Sequence, residues 1–290
     1  MAVPTQDFQV SVAGLLLGPA TSYTLVDFNP WGKANRATQT DKRAWAHGSW
    51  SGRELIDEVV IPIRALINTE TPADFLAARH QLAAAFKPSD DGTDAELRFR
   101  FAGQDYVMFG RPRMVDLENP ELLVLGKSFV KAAFVALDPL IYAATEMQQV
   151  LGLPSVSGGL TAPVTAPVTI GATVTAGRAT IANAGTQATA LKLRIDPVGA
   201  NLVEPRVSVL TGTTVRVLRC NLTLTAGQWM DIDTGARTAY LNGTVSRRGN
   251  VSGDWPLVPP MSEGSSELAF DAGVYSASAQ LTATWRDAWI

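Results

Sequence analysis

The sequence predicts a mainly β protein in two halves, and three observations lead to this fold class. Segments in which apolar and polar residues alternate recur along the chain, as expected for strands with one buried face. Only the stretch from Thr71 to Asp91 has the features of a helix. A Thr-, Pro- and Gly-rich stretch from Gly158 to Gly177 repeats TAPVTAPVT and interrupts both patterns. We therefore predict two β domains, residues 1–147 and 178–290, joined by a connector at residues 148–177.

In the first half, the clearest strand is AELRFRFAG, where Leu97, Phe99 and Phe101 alternate with charged residues. DYVMFGRPRMV follows a Gly-containing turn and is predicted to be its hairpin partner. The segments DFQVSV, SYTLVDF and GKSFVKAAFVALDP show similar alternation, and ELIDEVVIPIRALI is predicted to be one long strand. These segments supply the sheet of the first domain.

One amphipathic helix is predicted at about residues 72–87, within TPADFLAARHQLAAAFKPSDD. Thr71 is a suitable N-cap, Pro72 suits the first helical position and Pro88 ends the helix. Three large apolar side chains recur at helical spacing: Phe75, Leu82 and Phe86. We expect these three to pack on the sheet or on a neighbouring subunit. His80, on the same helix, is expected to be a partly exposed residue without a catalytic role.

Residues Asn29 to Arg53 show little hydrophobic periodicity and are predicted to form a long loop. This segment contains three tryptophans: Trp31, Trp45 and Trp50. Long loops with large aromatic side chains are usually functional or docked, so contact with a neighbouring subunit is one hypothesis. The alternative is that the tryptophans cover the sheet of their own domain.

The second half is predicted to be an all-β sandwich or jelly roll. LKLRI alternates Leu191, Leu193 and Ile195 with basic residues, and further short strands follow at regular intervals, separated by turns with Gly or Asn. Three aromatic residues here could stack on sugar rings or fill the sandwich core: Trp229, Tyr240 and Trp255.

The residue inventory predicts neither an enzyme nor a metal or cofactor site. Two histidines and one cysteine are too few for the usual zinc sets, and the sequence lacks the common catalytic and phosphate-binding motifs. Asp231 and Asp233 share one face of a strand, where calcium ligation or acid–base chemistry is possible, although a solvated strand face is far commoner.

Charge and hydropathy narrow the possible partners. The formal net charge is -3, and residues 1–147 hold 14 Lys+Arg against 18 Asp+Glu, which argues against general nucleic-acid binding. The apolar run AGLLLG is far too short to span a membrane, and the N-terminus lacks the pattern of a signal peptide. We therefore expect no sequence-specific nucleic-acid binding and no membrane anchor.

Several segments resemble siphophage distal tail proteins. FVALDPLIY, from Phe134 to Tyr142, resembles the end of that family's N-terminal domain, and GRATIANAGTQATALKLRIDPVG resembles the start of its C-terminal domain. LTAGQWMDIDTGARTAYLNG and WPLVPPMSEGSSELAF look like its later strands, and ATWRDAWI is similar to its closing Trp-Arg-x-Ala-Trp. The turn from Pro259 to Gly264 stands where the family commonly has Pro-Gly-x-Asn. The resemblance extends over nearly the whole chain.

The resemblance implies a tail-tube-like N-terminal β-sandwich with one helix and a galectin-like C-terminal β-sandwich. It also implies a structural virion protein of the tail tip, assembled in the bacterial host cytoplasm, whose six copies form a ring around a channel for DNA. The implied partners are further copies of the chain, the tail tube protein, the tail-tip hub protein, the tape measure protein, and receptor-binding or other baseplate proteins. Two other hypotheses are a carbohydrate- or cell-wall-binding tail adhesin and a tail-associated hydrolase.

Overall fold

The computed structural model describes residues 2–31, 36–90, 92–157, 173–274 and 279–290. The chain divides into two compact units, the first ending at Ala144 and the second running from Thr145 to Trp289. The described residues are mainly β-strand, with antiparallel pairing throughout the two large sheets of the second unit and the large sheet of the first. The predicted mainly β fold class is therefore confirmed.

The strands of the first unit are β1 (Val10–Val12), β2 (Leu15–Leu17), β3 (Tyr23–Phe28), β4 (Arg36–Lys42), β5 (Ser49–Ile56), β6 (Val59–Asn68), β7 (Ala95–Phe101), β8 (Gln104–Leu117), β9 (Lys127–Ala136) and β10 (Ile141–Ala143). Its helices are α1 (Pro72–Ala85) and a 3-10 helix at Pro120–Leu125. The main sheet has the order β2-β1-β7-β8-β9-β6-β3, and β10 pairs with β8. The first unit is thus one large antiparallel sheet with a single α-helix among its described residues.

The centre of this sheet is the long β6–β9 pair. Ile61 lies opposite Phe134 and Ile63 opposite Ala132, and all four side chains are buried. The alternation predicted from VIPIRALI and SFVKAAFVA therefore corresponds to one inward face on each strand, and cross-strand apolar pairs of this kind stabilise the sheet.

Helix α1 covers this inner layer. The Thr71 hydroxyl oxygen accepts the Asp74 backbone N–H at 3.2 Å, Pro72 occupies the first turn and Phe86 is the C-cap residue. The helix contacts β6, β2, β8 and the 3-10 helix. The Tyr23 hydroxyl in β3 donates to the Ala78 carbonyl at 2.8 Å, which ties the helix to the end strand of the sheet, and burial raises the pKa of this phenol.

The stretch ELIDEVVIPIRALI forms two strands instead of the predicted one. β5 ends at Ile56 and β6 begins at Val59, with exposed Asp57 and Glu58 between them. β6 pairs with β3 and β9, whereas β5 pairs with β4 in a separate two-stranded hairpin. The prediction of one strand was wrong because the apolar residues on either side of the acidic pair serve different sheets.

An ion-pair cluster links three positions on the main sheet. Glu118, just after β8, contacts Arg64 of β6 (Oε2 to Nε, 2.8 Å) and Lys131 of β9. Hydrogen bonds from the Lys131 and Arg64 side chains lower the pKa of the Glu118 carboxyl. The Arg64 guanidinium also lies 4.9 Å from the centre of the Phe129 ring.

An NMR pH titration should place the pKa of Glu118 below the ordinary glutamate value. Because the ion pairs favour the charged form in the folded state, their stabilising effect is present above the pKa of the unfolded chain and is lost as pH falls through the lowered folded pKa. Glu118→Gln should therefore destabilise the first unit slightly at neutral pH, and its difference from wild type should disappear in acid. The effect is small because the two cationic side chains are about half exposed. Glu121→Gln is the control, and an equal loss in that variant would contradict the role of the pairs.

The strands of the second unit are β11 (Met147–Gly152), β12 (Ser155–Ser157), β13 (Thr173–Thr175), β14 (Arg178–Ile181), β15 (Thr189–Ala190), β16 (Lys192–Pro197), β17 (Leu202–Val203), β18 (Arg206–Thr211), β19 (Thr214–Cys220), β20 (Thr223–Leu224), β21 (Met230–Asp233), β22 (Thr238–Leu241), β23 (Val245–Ser246), β24 (Val251–Gly253), β25 (Leu257–Val258), β26 (Ser266–Asp271), β27 (Ala279–Trp285) and β28 (Ala288–Trp289). Short 3-10 helices lie at Arg248–Asn250 and Met261–Glu263.

Two antiparallel sheets of this unit pack together over one core. Their orders are β11-β27-β16-β21-β22-β23 and β14-β26-β18-β19-β24. Leu193 and Ile195 of the first sheet and Val207 and Phe270 of the second belong to the same buried cluster. The second unit is therefore a β-sandwich. Cys220 lies in the same core, and burial raises the pKa of its thiol to about 12.

The connector predicted at residues 148–177 contains strands. β11 pairs with β27 along its whole length, and β12 pairs with β13, so the second unit begins before the predicted connector ends. The segment MQQVLG did not indicate a strand because β11 has one fully buried side chain, Leu151. The centre of the predicted connector, residues 158–172, lies outside the described residues.

Candidate interaction site

The most exposed part of the first unit is the β4–β5 hairpin, which we call the arm (residues 36–56). It lies where the sequence indicated a loop. Its strands pair from Arg36 opposite Ile56 to Lys42 opposite Ser49. Every described side chain from Thr38 to Leu55 is exposed. An exposed hairpin buries neither face, so its residues are not selected for alternation, and this explains why periodicity did not reveal the two strands.

The three tryptophans predicted in this region have different environments. Trp45, in the turn at the tip of the arm, is 100% exposed, and no ring or cation contact involves it among the described residues. Trp50, on β5, is 65% exposed, and the Arg43 guanidinium lies 4.6 Å from its ring centre. These two side chains point away from any core.

Trp31 instead covers the sheet of its own unit. Its ring lies edge-on to Phe99, Phe101 and Tyr106, with ring centres 5.6, 5.1 and 5.9 Å away. It is 43% exposed, as expected for an aromatic side chain that closes the rim of a cluster. Trp31 therefore matches the alternative in which a tryptophan covers its own sheet, and contact of Trp45 and Trp50 with a neighbouring subunit stays a prediction.

A pocket of about 430 Å³ lies at the foot of the arm, and we call it the aromatic pocket. Its lining combines rings and prolines with the edge of β3: Phe8, Pro19, Val26, Phe28, Pro30, Phe99 and Phe101 are among its residues. Phe28 and Pro30 come shortly before the arm in the chain. The rim residues Phe8, Val26 and Phe101 are exposed, so this is an apolar depression open to solvent.

Phe8 stands on this rim in a strained backbone conformation. Its φ is 65°, a left-handed value that bulky residues rarely adopt and that costs about 1–3 kcal/mol. Its ring is 59% exposed and meets Phe101 edge-on at 5.0 Å between ring centres. The conformation therefore presents a large apolar ring to solvent at a cost in stability.

Neighbouring contacts hold Phe8 in this conformation. Its N–H donates to the Arg100 carbonyl at 3.0 Å, and the Arg100 N–H donates to the Gln9 carbonyl at 3.1 Å. The buried Gln9 side chain accepts from the Thr5 N–H at 2.8 Å and donates to the Pro19 carbonyl at 2.9 Å. Gly18 lies so close that a Cβ there would stand 2.5 Å from the Phe8 carbonyl oxygen. Phe8 is thus fixed by its surroundings.

The sequence did not predict the aromatic pocket. DFQVSV placed Phe8 on the same face as Val10 and Val12, which are buried, whereas Phe8 lies before β1 and faces solvent. The only local signals are Gly18 and Pro19 in LLLGPA, which are compatible with many turns. The pocket depends on contacts between segments far apart in the chain.

The predicted helix residues lie elsewhere, in the interior of the first unit. Phe75, Leu82 and Phe86 are all buried, together with Ala78 and Ala85. His80 is exposed. These three apolar side chains therefore support the fold of their own unit and do not form an exposed surface.

The three aromatic candidates of the second unit do not form one platform. The Trp229 indole N–H donates to the Asp231 carboxylate at 2.9 Å, and the Arg194 guanidinium lies 4.7 Å from its ring centre. Tyr240 is the cross-strand partner of Asp231 and is 39% exposed. Trp255 packs instead on the sandwich core, so only Trp229 and Tyr240 share a neighbourhood.

The two acidic residues of β21 both take part in local hydrogen bonds. Asp231 accepts from Trp229, and Asp233 Oδ1 accepts the N–H groups of Gly235 and Ala236, each at 2.9 Å. Among the described residues, no group of three or more His, Cys, Asp or Glu side chains is arranged to hold a metal ion. In the same part of the chain, no helix has the length and apolar character needed to cross a membrane.

Comparison with solved structures places the fold among proteins of the phage tail tip. One similar structure is that of SPP1 Dit (gp 19.1), described as a paradigm of the hub adsorption apparatus in phages that infect Gram-positive bacteria. The TM-score is 0.67 at 13% identity, over 98% of this chain and 100% of that chain. A chain of the phage P2 baseplate in its activated conformation with Ca gives a TM-score of 0.50 at 10% identity, over 95% of this chain and 97% of that chain. No family model and no curated protein matches the sequence.

At these identities the likeness shows the fold. The chain has the fold of a phage distal tail protein, so the resemblance found in the sequence is confirmed at the level of the fold.

Proposed function

We propose that this chain is a structural protein of the distal phage tail, located in the virion at the tail tip. The observation that carries the proposal is the likeness to SPP1 Dit over the full length of both chains. A match confined to one sandwich would carry little weight, because β-sandwiches serve many functions. The order of two different β units in one chain is far more specific.

The first unit is the proposed ring-forming element, with a tail-tube-like role, and six copies would close the ring. A ring requires each subunit to carry two different, complementary surfaces, so that the same contact repeats until the rotation closes. The arm, with its exposed Trp45 and Trp50, supplies one surface that its own unit leaves uncovered. The number six comes from the sequence resemblance.

The ring would join the tail tube protein to the tail-tip hub, with the tape measure protein and receptor-binding or other baseplate proteins as further partners. Its central channel would pass DNA during infection. The net charge of -4 on residues 1–147 suits this role, because a wall that attracted phosphates would retain the DNA. Assembly would occur in the host cytoplasm. The second unit, which we propose is galectin-like, would lie on the outside of the ring.

Negative-stain electron microscopy and native mass spectrometry of the purified full chain test this proposal. We expect rings with six-fold symmetry and a central hole, and a dominant species of six chains at micromolar concentration. Mixing with the tail tube protein should place one ring at the end of each tube. A protein that stays monomeric over the whole accessible concentration range, alone and with tail tube protein, would contradict the proposed function.

A second candidate function is a carbohydrate- or cell-wall-binding adhesin. One feature favours it: a shallow depression of about 380 Å³ on the outer face of the second unit, lined by Arg194, Asp231, Thr282 and Tyr240 among others. Charged and hydroxyl groups beside an exposed ring suit the hydroxyls and the apolar face of a sugar. Trp229 adjoins this face through its hydrogen bond to Asp231.

Pull-down with host cell walls and a glycan array would test the second candidate. Binding that is lost in Tyr240→Ala and retained in Trp255→Phe would support it, since Trp255 packs on the core. The absence of binding to cell walls and to every glycan would remove it, and would leave the ring proposal unaffected.

A further inference from the structure

We propose that Trp45 at the tip of the arm of one copy inserts into the aromatic pocket of the next copy. The inference rests on the proposed ring and identifies the contact that closes it. Among the described residues, Trp45 has no ring or cation contact, and the pocket keeps an open mouth although Trp31 packs on its Phe99 and Phe101 rings. Trp45 is fully exposed, and the aromatic pocket is open to solvent.

The two surfaces match in size and chemistry. The pocket, at about 430 Å³, is larger than one indole side chain, and most of its lining is apolar, including Phe28, Phe99 and Phe101. Tryptophan is enriched among the residues that dominate protein interfaces, where it fills pockets of this kind. The strained, fixed position of Phe8 fits a preformed wall, because a mobile rim would have to be ordered on binding.

Geometry separates Trp45 from the pocket of its own subunit. Phe28 lines the pocket and pairs with Ile63 of β6, the strand that begins shortly after the arm ends at Ile56, so the pocket lies toward the foot of the arm and Trp45 at its tip. The paired strands of seven and eight residues are each about 23–26 Å long at roughly 3.3 Å per residue. A paired hairpin cannot bend its tip back to its own foot, so the contact must join two copies head to tail, as a closed ring requires.

Charge supports the same pairing. Lys42 and Arg43 stand beside Trp45 at the tip of the arm, and with Asp41 just before them the three charges leave this end of the arm net positive. The pocket side carries Asp27 in its lining, and Asp7 and Asp105 around Arg100, which is the single cation of the lining. A tip with two cations would therefore approach a surface with a net negative charge, which favours the correct orientation on encounter.

Disulfide crosslinking tests the contact directly. Ala46→Cys places a thiol next to Trp45, and Val26→Cys places one on the exposed rim of the pocket. The native Cys220 is buried and its thiol pKa is about 12, so it does not compete under mild oxidation. The double variant should give a ladder of covalent multimers up to the size of the ring. Ala46→Cys with Val124→Cys, an exposed position on the 3-10 helix, is the matched control and should give no ladder.

Assembly measurements give an independent test. Trp45→Ala should raise the concentration at which half of the chains are in rings by at least about tenfold, with an unchanged melting temperature because the side chain is exposed. Trp50→Ala, on the same arm, should have a smaller effect. Phe8→Gly should weaken assembly as Trp45→Ala does, since glycine accepts the positive φ and removes only the ring. The double variant Trp45→Ala/Phe8→Gly should be no worse than the stronger single variant.

The outcomes separate this inference from the function on which it rests. Wild-type rings with no Ala46–Val26 crosslink and with unchanged assembly in Trp45→Ala would overturn the inference and leave the ring intact. A wild-type protein that forms no rings at all, alone or with tail tube protein, would overturn both.

Discussion

Replacing Phe75 with Ala is expected to destabilise the first unit by about 3–5 kcal/mol. Phe75 is 0% exposed and is one of the largest fully buried side chains of the chain. It projects from α1, which contacts β6, β2 and β8, so truncation to Ala would leave a cavity in the interior of the unit. The loss combines the transfer free energy of the ring with the cost of the cavity that remains.

Chemical denaturation monitored separately for the two units would measure this loss. The transition of the first unit should move to lower denaturant concentration, while that of the second unit should stay in place, because the two units have separate cores. His80→Ala, on the exposed side of the same helix, should change the free energy of unfolding by less than about 0.5 kcal/mol. Equal effects of the two substitutions would mean that the helix is not anchored through Phe75.

Sequence reasoning located α1 because its signals are local. An N-cap threonine, a proline at the first position and apolar residues at helical spacing act within a few residues of one another, so they survive without knowledge of the fold. The boundaries agree within two residues, Pro72–Ala85 against residues 72–87. The strands β6, β7 and β9 could also be predicted from the sequence, since each has one face in the core and therefore alternates apolar and polar residues.

The arm and the pocket could not be predicted, for two different physical reasons. The arm has no buried face, so hydrophobic alternation, which reports burial, is missing from its strands. The pocket depends on Phe8, whose positive φ is held by Arg100 and Gly18 and not by its sequence neighbours alone. For a similar reason, the sequence could not show that Trp31 and Trp45 have different environments. Only tertiary contacts distinguish a side chain that packs on its own sheet from one that lies in solvent.

ANAGTQ and ATWRDAWI, two of the segments in which the sequence resembles distal tail proteins, are hydrogen-bonded to each other in the second unit. The Trp285 indole N–H donates to the Ala182 carbonyl at 2.9 Å, and Asp287 accepts the Ala184 N–H at 2.9 Å. The Ala288 carbonyl accepts the N–H groups of Thr186 and Gln187. The closing segment ATWRDAWI and the segment ANAGTQ therefore form one hydrogen-bonded unit.

Asn183 is the centre of this unit. It is fully buried, and its side-chain amide makes four hydrogen bonds. Nδ2 donates to the carbonyls of Gln187 at 2.7 Å and Val258 at 3.2 Å, and Oδ1 accepts the N–H groups of Gly185 at 2.9 Å and Ala288 at 3.2 Å. A Cβ on Gly185 would stand 1.9 Å from the Ala288 carbonyl oxygen, so the two segments approach each other closely at this point and Gly185 cannot carry a side chain.

Asn183→Ala is therefore expected to destabilise the second unit by roughly 3–5 kcal/mol, because four buried backbone groups lose their partner at once. Asn183→Asp keeps the acceptor and loses the donor, and it places a carboxylate beside two carbonyl oxygens, so it should be similarly harmful at neutral pH. Asn221→Ala is the control, since that exposed amide donates to the Ser252 hydroxyl and should cost less than about 1 kcal/mol. Denaturation of the second unit would measure all three. A loss in Asn183→Ala no larger than in Asn221→Ala would show that the closing segment is held by the Trp285 and Asp287 contacts instead.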